Sequence, residues 1–279
     1  MYLPIIGSFL EATGMNLEKY ALRKKNLHYG AYTTYEFLAI VIVSLFFVYF
    51  TWGVYDGARD AENIIRFVFV VFFAMLANLC IFYSLKRETI SEFEPIWLMQ
   101  PLFTVLLAFS FYADERNWII VGLAVVASLT LVIAHIKKNH FTWNKYMLAV
   151  LLGSLFFAIE LNLSKPLLQY YSPFTFYFIR CLSIFVIVAL IYRPKFKDLD
   201  GKTSWIILLI GLIWVVYRAI LYKSYEVIGV VYSTLLFSLS AVLIFLFAVI
   251  FLKEKPSARQ VISAIIIVIC VITAILLGN

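Results

Sequence analysis

The sixteen residues GSFLEATGMNLEKYAL at 7–22 lie without a gap over GSLFFAIELNLSKPLL at 153–168. Gly7 meets Gly153, Ser8 meets Ser154, Ala12 meets Ala158, Asn16 meets Asn162, Leu17 meets Leu163, Lys19 meets Lys165 and Leu22 meets Leu168. Seven identities in sixteen positions exceed what shared apolar bias readily gives, so the chain reads as one unit used twice. A weaker second alignment sets IFYSLK at 81 on ILYKSY at 220 and runs ungapped to ADERN over LKEKP, pairing Tyr83 with Tyr222 and Glu115 with Glu254.

Composition says what kind of unit is repeated. Hydrophobic residues make up 64% of the 279, more than a soluble core of this length can bury. A helix crosses about 30 Å of hydrocarbon in about 20 residues. Apolar runs of that size are predicted at 3–22, 31–52, 64–84, 90–112, 117–136, 145–169, 173–193, 204–224, 229–252 and 257–277. Continuous runs exclude a β-barrel, whose strands alternate over about ten residues. Between them RKKNLHYG, GVYDGARDAEN, KKNHFTWN and RPKFKDLDGKT collect charge, Gly and Pro, and none is long enough to fold alone. The first run carries acids and lacks a basic leader, so it is not read as a cleaved signal.

Five spans per repeat is an odd number, and an odd number turns the second copy upside down in the membrane. The expected fold is therefore an all-α membrane protein with ten transmembrane helices as two inverted five-helix repeats. The repeats occupy 1–139 and 140–279 within a single membrane domain. Loops after spans 1, 3, 5, 7 and 9 hold fifteen Lys and Arg, whereas the opposite loops hold Arg59, Arg116 and Lys223. The excess of basic residues marks the cytoplasmic side and places both ends of the chain outside. A tag after Asn279 is accordingly expected to be reachable from outside intact cells; a reporter active there only in the cytoplasm would reverse this orientation.

Ionisable residues inside a bilayer are costly, so each is a candidate for function. Glu11, Glu36, Glu160, Arg180 and Arg218 fall inside spans. Glu11, Gly14 and Glu18 share a helix face at i, i+3 and i+7, as do Gly153, Glu160 and Ser164, and both faces are candidates to line one cavity. A carboxyl in such a cavity can take up and release a proton as the site opens to either side. The structural alternative is ion pairing that sets helix register: Glu36 and Arg180 occupy corresponding positions, and a bridge to each other or to Glu160 and Arg218 fits the sequence. Glu18, Glu92 and Glu94 lie nearer span ends and read as solvated, and Lys19 and Lys165 as snorkelling.

In LIWVVYRAILY, Trp214, Arg218 and Tyr222 recur at i, i+4 and i+8, with Tyr217 alongside. Aromatic walls hold organic cations and flat solutes, whereas an arginine among them selects a carboxylate, so substrate charge stays open. The proton- or substrate-binding candidates are thus Glu11, Glu36, Glu160, Arg180, Trp214, Tyr217, Arg218 and Tyr222. Other chemistry finds no motif. There is no phosphate-binding GxxxxGK[ST] loop and no HExxH. His28, His135 and His140 lack ligand spacing, the acids form no calcium or magnesium loop, and Cys80, Cys181 and Cys270 stand alone in apolar runs. Neither catalysis, a cofactor nor a metal is expected.

Three further stretches carry a resemblance. They are residues 238–278 with Glu254, residues 101–134 with Pro101 and Glu115, and SPFTFYFIRCL with Arg180. In this order they resemble the drug/metabolite transporter superfamily, in particular its ten-helix EamA-type permeases. Glu11, Gly14, Leu17 and Lys19 fill E-x-x-G-x-x-L-x-K, which is similar to the first helix of the small multidrug resistance branch. That resemblance implies for Glu11 a site shared by protons and cationic substrates. The expected protein is a multi-pass plasma-membrane secondary transporter of a small organic metabolite or drug-like solute. It would work by alternating access, proton-coupled or facilitative. Its partners would be the solute, protons and the lipid bilayer, with no nucleic acid, and it would act as a monomer or homodimer. A non-transporting scaffold or receptor with the same fold is the alternative, and a membrane enzyme acting on lipid a weaker third.

Overall fold

The computed structural model describes residues 2–22, 27–88, 93, 96–135, 144–195, 199–243, 246 and 258–277. The apolar runs become helices because, in hydrocarbon, every backbone N–H and C=O must be satisfied within the chain. Among the described residues these are α1 (Tyr2–Leu22), α2 (Tyr29–Thr51), α3 (Ala61–Leu85), α4 (Met99–Phe111) and α5 (Trp118–His135). The second set is α6 (Lys145–Ser164), α7 (Pro173–Tyr192), α8 (Gly201–Ile228), α9 (Val230–Phe237) and α10 (Ala258–Leu277). A 3₁₀ stretch, Lys165–Tyr170, carries α6 to the end of its predicted span. A turn at Ser238 interrupts the ninth span before helix resumes at 239–243.

Polar residues beside the apolar runs set the helix starts. Asn144 Oδ1 accepts from the Tyr146 and Met147 amides at 2.8 and 2.9 Å. Ser172 accepts from Thr175 N ahead of α7, where Pro173 takes the position that needs no donor. Among the described residues, five helices are long and apolar enough to cross a membrane: α2, α3, α6 with its 3₁₀ extension, α7 and α8. Their outward sides carry large apolar groups such as Phe46, Tyr49, Phe50, Leu190 and Trp205. Such a surface belongs against lipid rather than water.

Helix packing displays the repeat. Exchanging each helix with the one five places along turns the α3–α6 contact into α8–α1, α2–α8 into α7–α3, α4–α6 into α9–α1 and α2–α3 into α7–α8. The contacts α2–α7, α4–α9 and α5–α10 map onto themselves. A pseudo-two-fold axis between inverted halves does this. Matched residues keep matched company. A Cβ on Gly7 would stand 3.4 Å from Ile220 Cγ2, and one on Gly153 would stand 3.0 Å from Ile81 Cγ1. Ile81 and Ile220 are the residues that open the weaker alignment. Asn16 donates to the Ala12 carbonyl at 2.8 Å, and Asn162 donates to the Ala158 carbonyl at 2.9 Å.

One glycine is required by close approach. A Cβ at Gly211 on α8 would lie 3.0 Å from Ala39 C and 3.1 Å from Ile40 N, both backbone atoms of α2. Backbone cannot swing aside as a side chain can, so Gly211→Val is expected to cost ~1–3 kcal/mol through forced separation of α2 and α8. Thermal unfolding in detergent reads this directly, and an unchanged transition would mean that the crossing is looser than it looks.

Candidate functional site

α1 and α8 pack side by side and carry their ionisable residues to the centre of the bundle. A cavity of about 130 Å³ opens there, lined by Glu11, Met15 and Asn16 of α1, by Trp214, Tyr217, Arg218 and Tyr225 of α8, and by residues before α4 and along the ninth span. Glu11 is half-buried and stands in the field of Arg218, with the Tyr217 and Ser240 hydroxyls beside it. Tyr217 meets Trp214 and Phe237 edge to face, with centroids at 5.2 and 5.7 Å, which fixes an aromatic wall. Phe157, which matches Glu11 in the second repeat, puts its ring under the Arg218 guanidinium at 4.5 Å. Residue pairs related by the repeat therefore meet the same arginine, one with a carboxyl and one with a ring.

A second cavity of about 50 Å³ adjoins the first through Met15, Leu85, Trp97, Phe157, Trp214 and Arg218, which line both. Glu18, Glu36, Asn78, Tyr177 and Arg180 line it as well. Glu18 is buried and accepts from Trp214 Nε1 at 2.6 Å. The solvated position expected for Glu18 is therefore corrected: α1 turns it toward α8, and the indole N–H compensates part of its desolvation. Lys19 does not snorkel either. It is buried and donates to the Leu85 and Glu88 carbonyls at the end of α3.

Glu160 lines neither cavity. It is 0% exposed and pairs with Arg180 at 2.7 Å and with Arg218 at 3.7 Å. Tyr222 and Ser164 donate to its Oε1 at 3.3 and 3.2 Å, and Arg180 donates to the Tyr222 hydroxyl. Of the register bridges open to the sequence, the one formed joins Glu160 to Arg180 and Arg218, and Glu36 stays outside it. The expectation that Gly153, Glu160 and Ser164 line the cavity is likewise corrected, since Gly153 packs on α3 and the other two bond to each other. Tyr222 belongs to the same buried network, so the Trp214–Arg218–Tyr222 stripe divides into two cavity residues and one packing residue.

At the end of the bundle away from Lys19, Lys165 pairs with Asp114 at 2.5 Å and Glu115 at 2.7 Å, and lies over the Tyr112 ring at 4.5 Å. Glu115 also accepts from the Val230 and Val231 amides at 2.7 and 3.1 Å, capping α9. Gly229 makes room for it: φ is +83° there, and a Cβ would fall 2.7 Å from Glu115 Oε1. This cluster ties the α4–α5 turn of one repeat to the α6 end and α9 start of the other. The hydrogen bond from Lys165 holds the Asp114 carboxyl below its ordinary range. The contact is thus present at neutral pH and lost only on acidification through that lowered range. Glu92, Glu94 and Glu254 lie outside the described residues.

Residues 1–135 and 144–276 match the pattern of the EamA-like transporter family. No curated protein matches the sequence. One solved crystal structure superposes with a TM-score of 0.74 over 99% of this chain and 96% of its own, at 15% identity, a likeness of fold.

Proposed function

The chain belongs to the EamA-like transporter family, and from that premise we propose a secondary transporter that moves a small organic solute by alternating access, with Glu11 carrying a proton. The protein is a multi-pass membrane transporter by family; the solute class, the mechanism and the coupling are the proposal. The observation that supports it best is the central cavity, to which the first half brings Glu11 and the second brings Arg218 and Tyr217. A site shared by two inverted halves, 1–139 and 140–279, is exposed to one side or the other as they rock. Lys165 with Asp114 and Glu115 closes one end in this reading, and its repeat partner Lys19 serves the other.

Reconstituted protein exposed to a library of small metabolites, with and without a pH gradient, is expected to accumulate or release at least one of them, and faster with the gradient. A protein that moves none, while binding a partner protein in its native membrane, would instead be a scaffold.

The closure has its own test. In a background lacking Cys80, Cys181 and Cys270, a cysteine at the cavity position Ser238 is expected to react several-fold faster with a membrane-impermeant thiol reagent applied outside when Lys165→Gln is added. Equal rates would remove Lys165 from gating and leave it a fastener of the α9 cap.

A further inference from the structure

The wall of the larger cavity holds a buried guanidinium without hydrogen bonds. Arg218 is 3% exposed and lines both cavities. It forms no hydrogen bond with any described residue, and its Nη1 is enclosed without a partner. An arginine offers five N–H donors, and buried donors are almost always paired. Arg180 shows the ordinary outcome, giving Nη1 to Glu160 at 2.7 Å and to the Tyr222 hydroxyl. Glu160 is thereby committed to Arg180, and its 3.7 Å separation from Arg218 is an ion pair too long for a hydrogen bond. Glu11 stands in the field of Arg218 from across the cavity but makes no ion pair with it among the described residues. Lys19, which lines the same cavity, is engaged by the Leu85 and Glu88 carbonyls.

The rest of the cavity suits a flat apolar body. Its volume of about 130 Å³ is close to the ~150 Å³ of an apolar protein cavity that holds one benzene molecule. Trp214, Tyr217 and Phe237 form one wall through their edge-to-face contacts, and Phe157 lies under the guanidinium at 4.5 Å. A ring stacked on a guanidinium steadies it while its N–H groups point outward in the plane, where a carboxylate can accept two of them at once. One uncommitted guanidinium matches one negative charge. A phosphate dianion would set its second charge against Glu11 and Glu160 with no further cation to meet it, and an organic cation would have to dock beside Arg218 itself.

We propose that the central cavity binds a small organic monocarboxylate with a flat apolar body, its carboxylate on the free N–H groups of Arg218 and its body against Trp214, Tyr217 and Phe237. This names the solute class and rests on the reading of the cavity as the solute site. The inverted repeat accounts for the vacant donors. Glu11 and Phe157 are matched positions, and where the first half brings a carboxyl to Arg218 the second brings a ring. The acceptor that Phe157 does not supply comes from the solute. Charge selection then lies with Arg218, and organic cations are the class this cavity excludes.

The test is equilibrium binding and needs no transport. Three probes of similar size, benzoate, benzamide and benzylammonium, are titrated calorimetrically at neutral pH into purified protein in nanodiscs of zwitterionic lipid, with empty nanodiscs subtracted. Benzoate is expected to bind about ten-fold more tightly than benzamide, the margin of a charge-assisted over a neutral hydrogen bond, with benzylammonium weakest. Arg218→Gln leaves Glu160 paired with Arg180 and is expected to bring benzoate and benzamide within about two-fold of each other. No binding of benzoate, equal binding of benzoate and benzamide by the parent, a preference for benzylammonium, or a benzoate preference that survives Arg218→Gln would overturn the proposal. The ranking in the parent decides it if the variant does not fold. A protein that binds benzoate through Arg218 but moves no solute would keep the site and lose the transporter reading. One that transports a solute while benzoate neither binds nor competes would do the reverse.

Discussion

Glu11→Gln is expected to reduce gradient-driven transport to the level of empty liposomes while the protein still inserts and folds. Glutamine keeps the size and hydrogen-bonding capacity of the carboxyl but cannot titrate. Glu11 is half-buried at the cavity wall, with the Tyr217 and Ser240 hydroxyls beside it, and both can bond an amide as well as a carboxylate. Exchange of solute in the absence of a gradient is expected to persist if the carboxyl serves the proton and not the solute. Transport measured against an imposed pH gradient, together with the thermal transition of the purified variant, separates these effects. A variant that remains fully coupled would assign Glu11 to packing or ion pairing.

The largest effect on stability is expected at the opposite side of the same network. Glu160→Gln removes the single carboxylate that faces both Arg180 and Arg218, each almost fully buried. Stranding a buried charge costs about 3–5 kcal/mol, and Arg180, which pairs with Glu160 at 2.7 Å, is the guanidinium this variant strands, while Arg218 keeps Glu11 across the cavity. Arg180→Met is expected to cost less, because Glu160 keeps Arg218 at 3.7 Å and the Tyr222 hydroxyl at 3.3 Å. Expression and thermal unfolding in detergent rank the two. The opposite order, or a Glu160→Gln protein as stable as its parent, would show that water or a bound ion already screens the arginines.

These residues also mark how far sequence reading reaches. Ionisable residues within apolar runs are identifiable one by one, because hydrophobicity is a property of the residue and its neighbours in sequence. Their roles are not, because a role depends on which face a helix turns to which partner. Glu160 and Glu11 look equivalent on paper, yet α6 turns Glu160 into a closed ion-pair network while α1 turns Glu11 to a cavity. Glu18 lies near a helix end, where solvation is the simplest reading, and only the approach of Trp214 from 196 residues away shows it buried. The pairing of Glu115 with the start of α9 joins residues more than a hundred positions apart and leaves no sequence periodicity by which to find it.

The sequence by itself determined that this is a ten-span helical membrane protein built from two inverted copies of one unit. Span length against bilayer thickness, the odd number of spans and the seven shared residues are all local or countable along the chain. Only the tertiary structure decided which charges meet: Arg180 with Glu160 rather than Glu36, Glu11 with Arg218 across a cavity, and Glu18 beside Glu36. Burial in a low-dielectric interior makes the energy of each such pair depend on ångström-scale separation, and that separation is set by helix rotation and crossing, which the order of residues along a span does not contain.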